Sequence, residues 1–188
     1  GAGGGGVRWV RAVGDGGPVT QGKVVTDRTK RAVRKLKESG SGLARTSGRP
    51  PRGMSMLIAP LALTTPIAAF NGGVLVNPDL SPIDEQTLPL QTIAPLIETI
   101  ARHELDVWVY RGAEWLVRDA KAPHVDREQR TVCFSPTVVP DFGEVRQGIV
   151  KIVGVGDDLA VVARCEDDVR GQFGDHVSAA RSRPYYLD

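Results

Sequence analysis

The chain has 188 residues, with 24 lysines and arginines against 22 aspartates and glutamates, and 41% of its residues are hydrophobic. This length accommodates one large domain or two small ones, and the apolar fraction suffices for a buried core, which excludes a globally disordered chain. The net charge of +2 hides an asymmetry, because residues 1–53 hold 12 basic and 3 acidic residues while residues 54–188 hold 12 basic and 19 acidic residues. The two parts are therefore interpreted separately.

Composition also excludes several classes of protein. Cys133 and Cys165 are too few for a disulfide framework or a four-cysteine zinc site, and their apolar neighbours predict two buried free thiols. No apolar run approaches the roughly 18 residues of a membrane span. The glycine-rich start has no apolar signal-peptide segment, so the sequence predicts a cytoplasmic protein with no membrane partner.

The first elements in chain order are weakly patterned. Residues 1–6 read GAGGGG and predict a disordered tail, and Val7–Val13 follow as a weak strand candidate. A helix begins at Thr26 or Asp27, either of which can cap it, and ends at the Ser-Gly repeat of residues 39–42. The basic stretch Arg28–Lys37 on this helix has the charge to contact nucleic acid phosphates. Because the region has almost no aromatic residue for stacking, a solvated helix face is favoured and no nucleic acid partner is expected.

Shorter elements fill the rest of the first part. Leu43–Ser47 predict a strand, and residues 53–63 predict a helix that Pro60 limits. Two apolar strands, Pro66–Phe70 and Val74–Val76, flank Asn71-Gly72-Gly73 and predict a hairpin. The proline-rich stretch 77–90 predicts a linker between two units.

Periodicity is clearer after the linker. Ile93, Leu96, Ile97 and Ile100 form the apolar stripe of a helix that ends near His103. A second helix, capped by Asp157 or Asp158, is expected to direct Leu159, Val162, Cys165, Val169 and Phe173 inward. Strands are predicted at Asp106–Tyr110, Glu114–Arg118, Thr131–Ser135, Ile149–Val155, His176–Ala180 and Tyr185–Leu187. This part is therefore expected to be an α+β unit with its helices on one sheet face.

One motif indicates a nucleotide-binding loop. Residues 17–23 match G-x-x-x-x-G-K between a predicted strand and a predicted helix. However, Val24 stands where a Ser or Thr would hold magnesium, and Pro18 lacks one of the backbone N–H groups that would cradle phosphate. A degenerate phosphate loop that binds a nucleotide stays open as one alternative.

Four segments in sequence carry a resemblance to a known family. Each has a defined place: a turn after a short strand, a turn inside a hairpin, a strand after the linker, and the end of the chain. They are Thr46-Ser47-Gly48-Arg49-Pro50, Phe70-Asn71-Gly72-Gly73, Asp106–Tyr110 and Arg183–Asp188. In order and spacing they resemble the Cof-type, class IIB phosphatases of the haloacid dehalogenase superfamily over about residues 24–188.

The resemblance implies an α/β fold with two parts. A partial Rossmann-like core with a parallel sheet is expected over residues 7–83, and an α+β cap of the C2B type over residues 84–188. It also implies magnesium-dependent hydrolysis of phosphate monoesters such as sugar phosphates, with a small phosphorylated metabolite as the partner. In this family the first Asp of an Asp-x-Asp-Gly-Thr motif attacks phosphorus and the second is the general acid and base.

The resemblance also assigns site residues. Asp15 matches the second Asp of that motif, as acid/base and as metal ligand, while Val13 stands at the nucleophile and Gly17 at the Thr. Ser47 matches the family's second motif, whose hydroxyl hydrogen-bonds the transferring phosphoryl group. Gly48 and Arg49 are then expected to bind phosphate or substrate. An ordinary strand-to-helix turn is the alternative for residues 47–49.

Two further residues and the chain end complete the assignment. Asn71 and Gly72 match the family loop beside the mouth of the active site. The family's later Lys and Gly-Asp-x-x-x-Asp segments have no match before Asp188. The chain is therefore expected to be a truncated or fragmentary member that is inactive and prone to self-association through an incomplete sheet. A non-catalytic module that binds a phosphate ester or a protein is the second alternative.

Overall fold

The structure, a computed structural model, describes residues 9–13, 25–145 and 147–188. It divides into two compact units after Asp84. The expected tail at residues 1–6, the loop at residues 17–23 and Asp15 lie outside the described residues. No helix in the described ranges combines the length and the hydropathy needed to cross a membrane.

Over its described residues the first unit forms a five-stranded sheet with helical connections, and the strands follow the order β1-β2-β3-β4-β5. Its elements in chain order are β1 (Trp9–Val13), α1 (Asp27–Glu38), β2 (Gly42–Thr46), a 3-10 helix (Pro51–Leu57), α2 (Ile58–Leu61), β3 (Ile67–Ala69), a 3-10 turn (Phe70–Gly72), β4 (Val74–Val76) and β5 (Pro82–Glu85).

The first three strands are parallel, as the α/β prediction requires. β1 runs parallel to β2 with Val13 opposite Thr46, and β2 runs parallel to β3 with Thr46 opposite Ala68. Helix α1 begins after Thr26, whose hydroxyl accepts a hydrogen bond from the backbone N–H of Thr29, so the predicted cap is confirmed. The predicted hairpin is confirmed too, because β3 and β4 pair antiparallel.

Two predictions for this unit are corrected. The helix expected over residues 53–63 is a 3-10 helix at Pro51–Leu57 followed by the single turn of α2. Pro60 lies inside α2, and Ala62 ends it in a left-handed conformation with φ of 46°. The stretch 77–90 is not wholly a linker, because Pro82–Glu85 form the edge strand β5. All four β5 residues are exposed, so they lack the alternating apolar pattern by which a strand is recognised.

The second unit is a six-stranded sheet with the order β10-β11-β9-β6-β7-β8. Its elements are α3 (Leu90–Arg102), β6 (Asp106–Arg111), β7 (Glu114–Val117), α4 (Val125–Val132), β8 (Thr137–Val138), β9 (Ile149–Val155), α5 (Leu159–Phe173), β10 (Arg181–Arg183) and β11 (Tyr186–Leu187). The predicted helix stripe at residues 93–100 and the predicted strands at residues 106, 114 and 149 are confirmed to within one residue.

One face of this sheet carries the main core. Val109 lies opposite Leu116 on β7 and Ile152 on β9, so the three side chains share a face. They pack in one cluster with the buried residues of α3 and α5, including Ile100 and Val162. Asp158 caps α5 by accepting hydrogen bonds from two backbone N–H groups, which confirms one of the two predicted caps.

The opposite face carries an aromatic cluster beneath α4. The rings of Trp108, Trp115 and Tyr186 are nearly fully buried, and the Trp108 ring lies 5.2 Å from each of the other two. Glu128 of α4 accepts a hydrogen bond from Tyr110, the strand neighbour of Val109, so α4 lies on the face opposite α3 and α5. The two predicted helices, α3 and α5, therefore share one face as expected, and the additional helix α4 covers the other.

The remaining corrections in this unit have local causes. The strand expected at Thr131–Ser135 is instead the end of α4, which is anchored by the buried Val125 and Val132, seven residues apart. The strand expected at His176–Ala180 begins later, at Arg181. Cys165 is buried as predicted, but Cys133 is exposed at the end of α4. Leu159 opens the first turn of α5 and is 48% exposed, so it does not point inward.

Candidate functional site

The carboxyl ends of β1, β2 and β3 lie at one edge of the first sheet, because the three strands are parallel. Ligands of open α/β sheets bind in the crevice outside the carboxyl ends of the strands. The residues that follow β2 and β3 at this edge are Ser47–Arg49 and Phe70–Gly72. Four of the residues predicted for a phosphate site, Ser47, Gly48, Arg49 and Asn71, are therefore brought to one place, with Gly72 beside them.

Ser47 is held by hydrogen bonds from three directions. Its N–H donates to the carbonyl of Ala68 at 3.0 Å, which extends the β2–β3 pairing by one residue. Its carbonyl accepts from the N–H of Asn71 at 2.8 Å. Its hydroxyl oxygen accepts from the N–H of Arg49 at 3.3 Å, which closes a serine turn. The side chain is 3% exposed, so a hydroxyl proton is presented from a fixed and mostly dry position.

The turn after β3 is conformationally strained. Phe70, Asn71 and Gly72 have φ values of 47°, 58° and 111°. Asparagine and glycine tolerate positive φ, whereas a bulky residue such as phenylalanine rarely adopts it. The N–H of Phe70 donates to the carbonyl of Arg49 at 3.0 Å, and together with the bond between Asn71 and Ser47 it ties the two turns together. Strained backbone of this kind is concentrated at functional sites.

Gly48 and Asn71 face each other across the two turns. A Cβ atom added to Gly48 would lie 3.5 Å from the side-chain nitrogen of Asn71 and 3.6 Å from its side-chain oxygen. These are ordinary contact distances, so space alone does not require glycine here. Gly72 is exposed, and an added Cβ atom would meet no atom within 4 Å, but its φ of 111° favours glycine.

Two arginines contribute positive charge to this edge. Arg49 is half-buried, and its guanidinium Nη1 lies 3.7 Å from the sulfur of Met56 in the 3-10 helix. Arg45 is 3% exposed and precedes Ser47 by two residues in the same extended segment, so the two side chains share a face. Sequence reasoning missed Arg45 as a site residue, because a cation inside a short strand gives no motif. Its only signal was a charge within a short predicted strand.

Among the described residues, no group of three or more His, Cys, Asp or Glu side chains is placed to hold a metal ion. Asp15 follows Val13, the last residue of β1, by two positions in the sequence. Its assignment as acid/base and metal ligand stays a prediction.

Comparison with known proteins decides the family. The profile of the haloacid dehalogenase-like hydrolases matches residues 15–188. The chain belongs to this family. The recognition made from the four segments is thereby confirmed, and so is the mixed α/β fold.

Individual relatives extend this result. A 5-amino-6-(5-phospho-D-ribitylamino)uracil phosphatase of Bacillus subtilis is 31% identical over 86 residues, which are 45% of this chain and 32% of the relative. The chain therefore spans about a third of that relative's length. A haloacid dehalogenase-like hydrolase from Bacteroides thetaiotaomicron has a TM-score of 0.86 at 24% identity, over 96% of this chain and 70% of that protein. A subclass IIB sugar phosphatase has a TM-score of 0.76 at 14% identity, over 97% and 69% of the two chains.

Proposed function

We propose that the first unit binds the phosphate group of a small phosphorylated metabolite, such as a sugar phosphate, at the turns Ser47–Arg49 and Phe70–Gly72. The observation that supports this best is the pair of turns itself. A buried serine hydroxyl, a half-buried arginine and an asparagine at positive φ next to the strained Phe70 are held together by backbone hydrogen bonds at the carboxyl edge of parallel strands. An ordinary strand-to-helix turn needs neither the strain at Phe70 nor the buried Ser47.

Each residue then has a defined contact with the phosphate. The Ser47 hydroxyl accepts from the Arg49 N–H and keeps its own proton to donate to a phosphoryl oxygen. Gly48 leaves its backbone open to the ligand, and the guanidinium of Arg49 neutralises phosphate charge. Asn71 and Gly72 form the rim of the site, and the buried charge of Arg45 raises the positive potential on the face that Ser47 shares.

Magnesium is the metal that this family membership implies. Magnesium prefers oxygen ligands and is commonly held by one or two carboxylates together with phosphate oxygens, so Asp15 is a suitable ligand by donor type. When bound, the metal would neutralise phosphate charge and orient the ester. The residues of this chain that would serve the same phosphate are Ser47 and Arg49.

We further propose that binding occurs without turnover. Phosphoryl transfer through an aspartyl intermediate needs a carboxylate nucleophile, and Val13 stands at that position. An alkyl side chain offers no electron pair to phosphorus. Without an aspartyl phosphate intermediate, Asp15 has no hydrolysis step to assist as acid/base.

We also propose a class of substrate and a cellular location. The relatives are named for a phosphoribitylamino-uracil and for sugar phosphates, and these names support a polyhydroxylated phosphate ester as the ligand. That class of metabolite is consistent with a Cof-type phosphatase whose cap is the second unit. It is also consistent with a cytoplasmic location. The phosphate-loop alternative is disfavoured, because the hydrolase family match includes residues 17–23.

A turnover assay tests the absence of catalysis. Purified chain is mixed with magnesium and a panel of sugar phosphates, and release of inorganic phosphate is followed. The expected rate equals that of buffer with magnesium. Magnesium-dependent release that is lost in Asp15→Ala would contradict the proposal and would show that Val13 does not stand at the nucleophile. Nucleotide binding that is lost in Lys23→Ala would instead favour the phosphate-loop alternative.

A further inference from the structure

The second unit contains a cavity of about 470 Å³ along helix α3. One wall is the α3 face that carries Leu90, Ile93 and Ile97, and the other is formed by Phe142 and Val145. Sites for small molecules are mostly apolar clefts of roughly 300–1,000 Å³, so the volume suits such a ligand. All of the lining residues belong to the second unit, whereas the proposed phosphate site lies in the first.

The apolar wall is accessible to solvent at its Leu90 end, whereas Ile93, Phe142 and Val145 are buried at its base and belong to the hydrophobic core. Leu90 is 57% exposed, and Ala94, one turn further along α3, is exposed as well. The buried side of the same helix, with Leu96 and Ile100, packs in the core. Helix α3 therefore presents an apolar surface beyond what the fold itself buries. Exposed apolar surface that lines a concave site is typical of ligand-binding grooves.

Two side chains of opposite charge line this cavity and form no ion pair with each other. Arg118, which follows β7, and Glu98 of α3 both line it, and both are exposed. Neither forms a hydrogen bond or ion pair with any other described residue. Arg118 also lines a neighbouring cavity beside Ala101, which follows Glu98 by three residues on α3. Both charges therefore lie toward the same end of the groove, with Leu90 toward the other.

We propose that this cavity binds a zwitterionic small molecule with a large apolar body, of the class of apolar α-amino acids. The carboxylate pairs with Arg118, the ammonium group with Glu98, and the apolar side chain lies along Leu90 and Phe142. A ligand that carried only a carboxylate would face the negative charges of Glu98 and Asp141, and one that carried only an ammonium group would face Arg118. A zwitterion matches the lining, because its carboxylate pairs with Arg118 and its ammonium group with Glu98.

Four probes separate these possibilities on the full chain. Isothermal titration calorimetry compares L-phenylalanine and L-leucine with 3-phenylpropanoate, which lacks the ammonium group, and with 2-phenylethylamine, which lacks the carboxylate. Both amino acids are expected to bind, and each analogue is expected to bind about tenfold or more weakly than phenylalanine, because a charged hydrogen-bonding partner is lost. Failure of both amino acids to bind at millimolar concentration, or equal binding of all four probes, would overturn the proposal.

Variants locate the binding at this cavity. Arg118→Gln should weaken phenylalanine binding about tenfold but strengthen binding of 2-phenylethylamine, because the like charge is removed. Glu98→Gln should likewise weaken phenylalanine binding and strengthen binding of 3-phenylpropanoate. Arg164→Gln, at an exposed arginine of α5 away from the cavity, is the matched control and should bind as the wild type does. Ala94→Trp fills the groove from an exposed helix position and should abolish binding while thermal unfolding shows that the fold is kept. Unchanged binding in both Arg118→Gln and Ala94→Trp would place the ligand elsewhere and refute the assignment.

Discussion

The two units differ in where their buried polar side chains lie. In the second unit Glu166 is buried, and its carboxylate pairs with Arg170 at 2.9 Å and with Arg181 at 2.6 Å. In the first unit Arg45, Thr46 and Ser47 are buried in succession at the end of one strand. The paired charge of Glu166 belongs to the architecture of the second unit, and we propose that the run of buried polar residues at the carboxyl edge of the parallel sheet serves the phosphate site.

Aromatic residues lie mainly in the second unit. All three tyrosines of the chain belong to the second unit, as do two of its three tryptophans, and most of them join the cluster beneath α4. Large rings supply much of the buried area of a small domain. The second unit therefore adds a cluster of rings to its aliphatic core, whereas the buried hydrophobic residues described in the first unit are aliphatic. The predictions below test that contrast, beginning with the largest effect.

Trp108→Ala should destabilise the second unit strongly. The ring is 1% exposed, and its removal leaves a cavity between Trp115 and Tyr186, so a loss of about 3–5 kcal/mol in the free energy of unfolding is expected. Urea unfolding followed by circular dichroism measures it. Leu159→Ala, at a residue that is 48% exposed, is the control and should change the free energy by less than about 0.5 kcal/mol. A loss in Trp108→Ala as small as that of the control would contradict the role of the cluster.

Alkaline pH should unfold the second unit. Burial raises the pKa of Tyr110 and Tyr186 above their ordinary value of 10.0, and raises the pKa of Cys165 from 9.0 to about 11. Well below pH 9 all three groups are protonated in both states, so their contribution to stability is complete. As the pH rises further, the unfolded chain loses these protons first, and stability falls until the folded values are passed.

Tyrosine absorbance against pH measures this effect. Tyr110 and Tyr186 should ionise in one cooperative step together with the loss of near-ultraviolet circular dichroism. Tyr186→Phe keeps the ring and removes one of the ionising groups, so it should move that step to higher pH. Ionisation of Tyr110 and Tyr186 near pH 10 with the dichroism retained would contradict burial of the cluster.

Asn71→Ala should have a smaller effect, confined to the first unit. Alanine at a φ of 58° is strained by about 1–2 kcal/mol, and the side chain that faces Gly48 is lost. A destabilisation of about 1 kcal/mol is expected, while Asn71→Gly, which adopts this φ without strain, should be close to the wild type. Thermal unfolding compares the two variants. Equal losses in both would show that the conformation of the turn is not what asparagine supplies.

The sequence predicted elements best where apolar periodicity was strong. The stripe of α3 from Ile93 to Ile100 and the apolar run of β9 were predicted and are confirmed. Helix α4 was missed, because it buries only Val125 and Val132 and its last turn carries the β-branched Thr131 and Val132, which favour a strand locally. β5 was missed because backbone pairing alone defines it, at four exposed residues.

The candidate site was predictable only as a set of positions. Ser47, Gly48, Arg49, Asn71 and Gly72 were assigned through the family resemblance that two turn segments help to carry, and the structure brings these residues to one edge. The contribution of Arg45, the strain at Phe70 and the contact of Arg49 with Met56 depend on the tertiary structure. No local pattern encodes them, because each depends on segments that are distant along the chain or on a backbone conformation that sequence does not specify.

Calorimetric titration of D-glucose 6-phosphate into the wild type, Ser47→Ala and Ser81→Ala tests the central claim most directly. Ser81 is an exposed serine that hydrogen-bonds to Asp79 outside the proposed site, so its variant is the matched control. The wild type and Ser81→Ala should bind the ester equally, and Ser47→Ala should bind it roughly fivefold to tenfold more weakly, since one hydrogen bond to a charged group is lost. Ser47→Ala that binds as tightly as the wild type, or a wild type that does not bind, would contradict the assignment of the phosphate site.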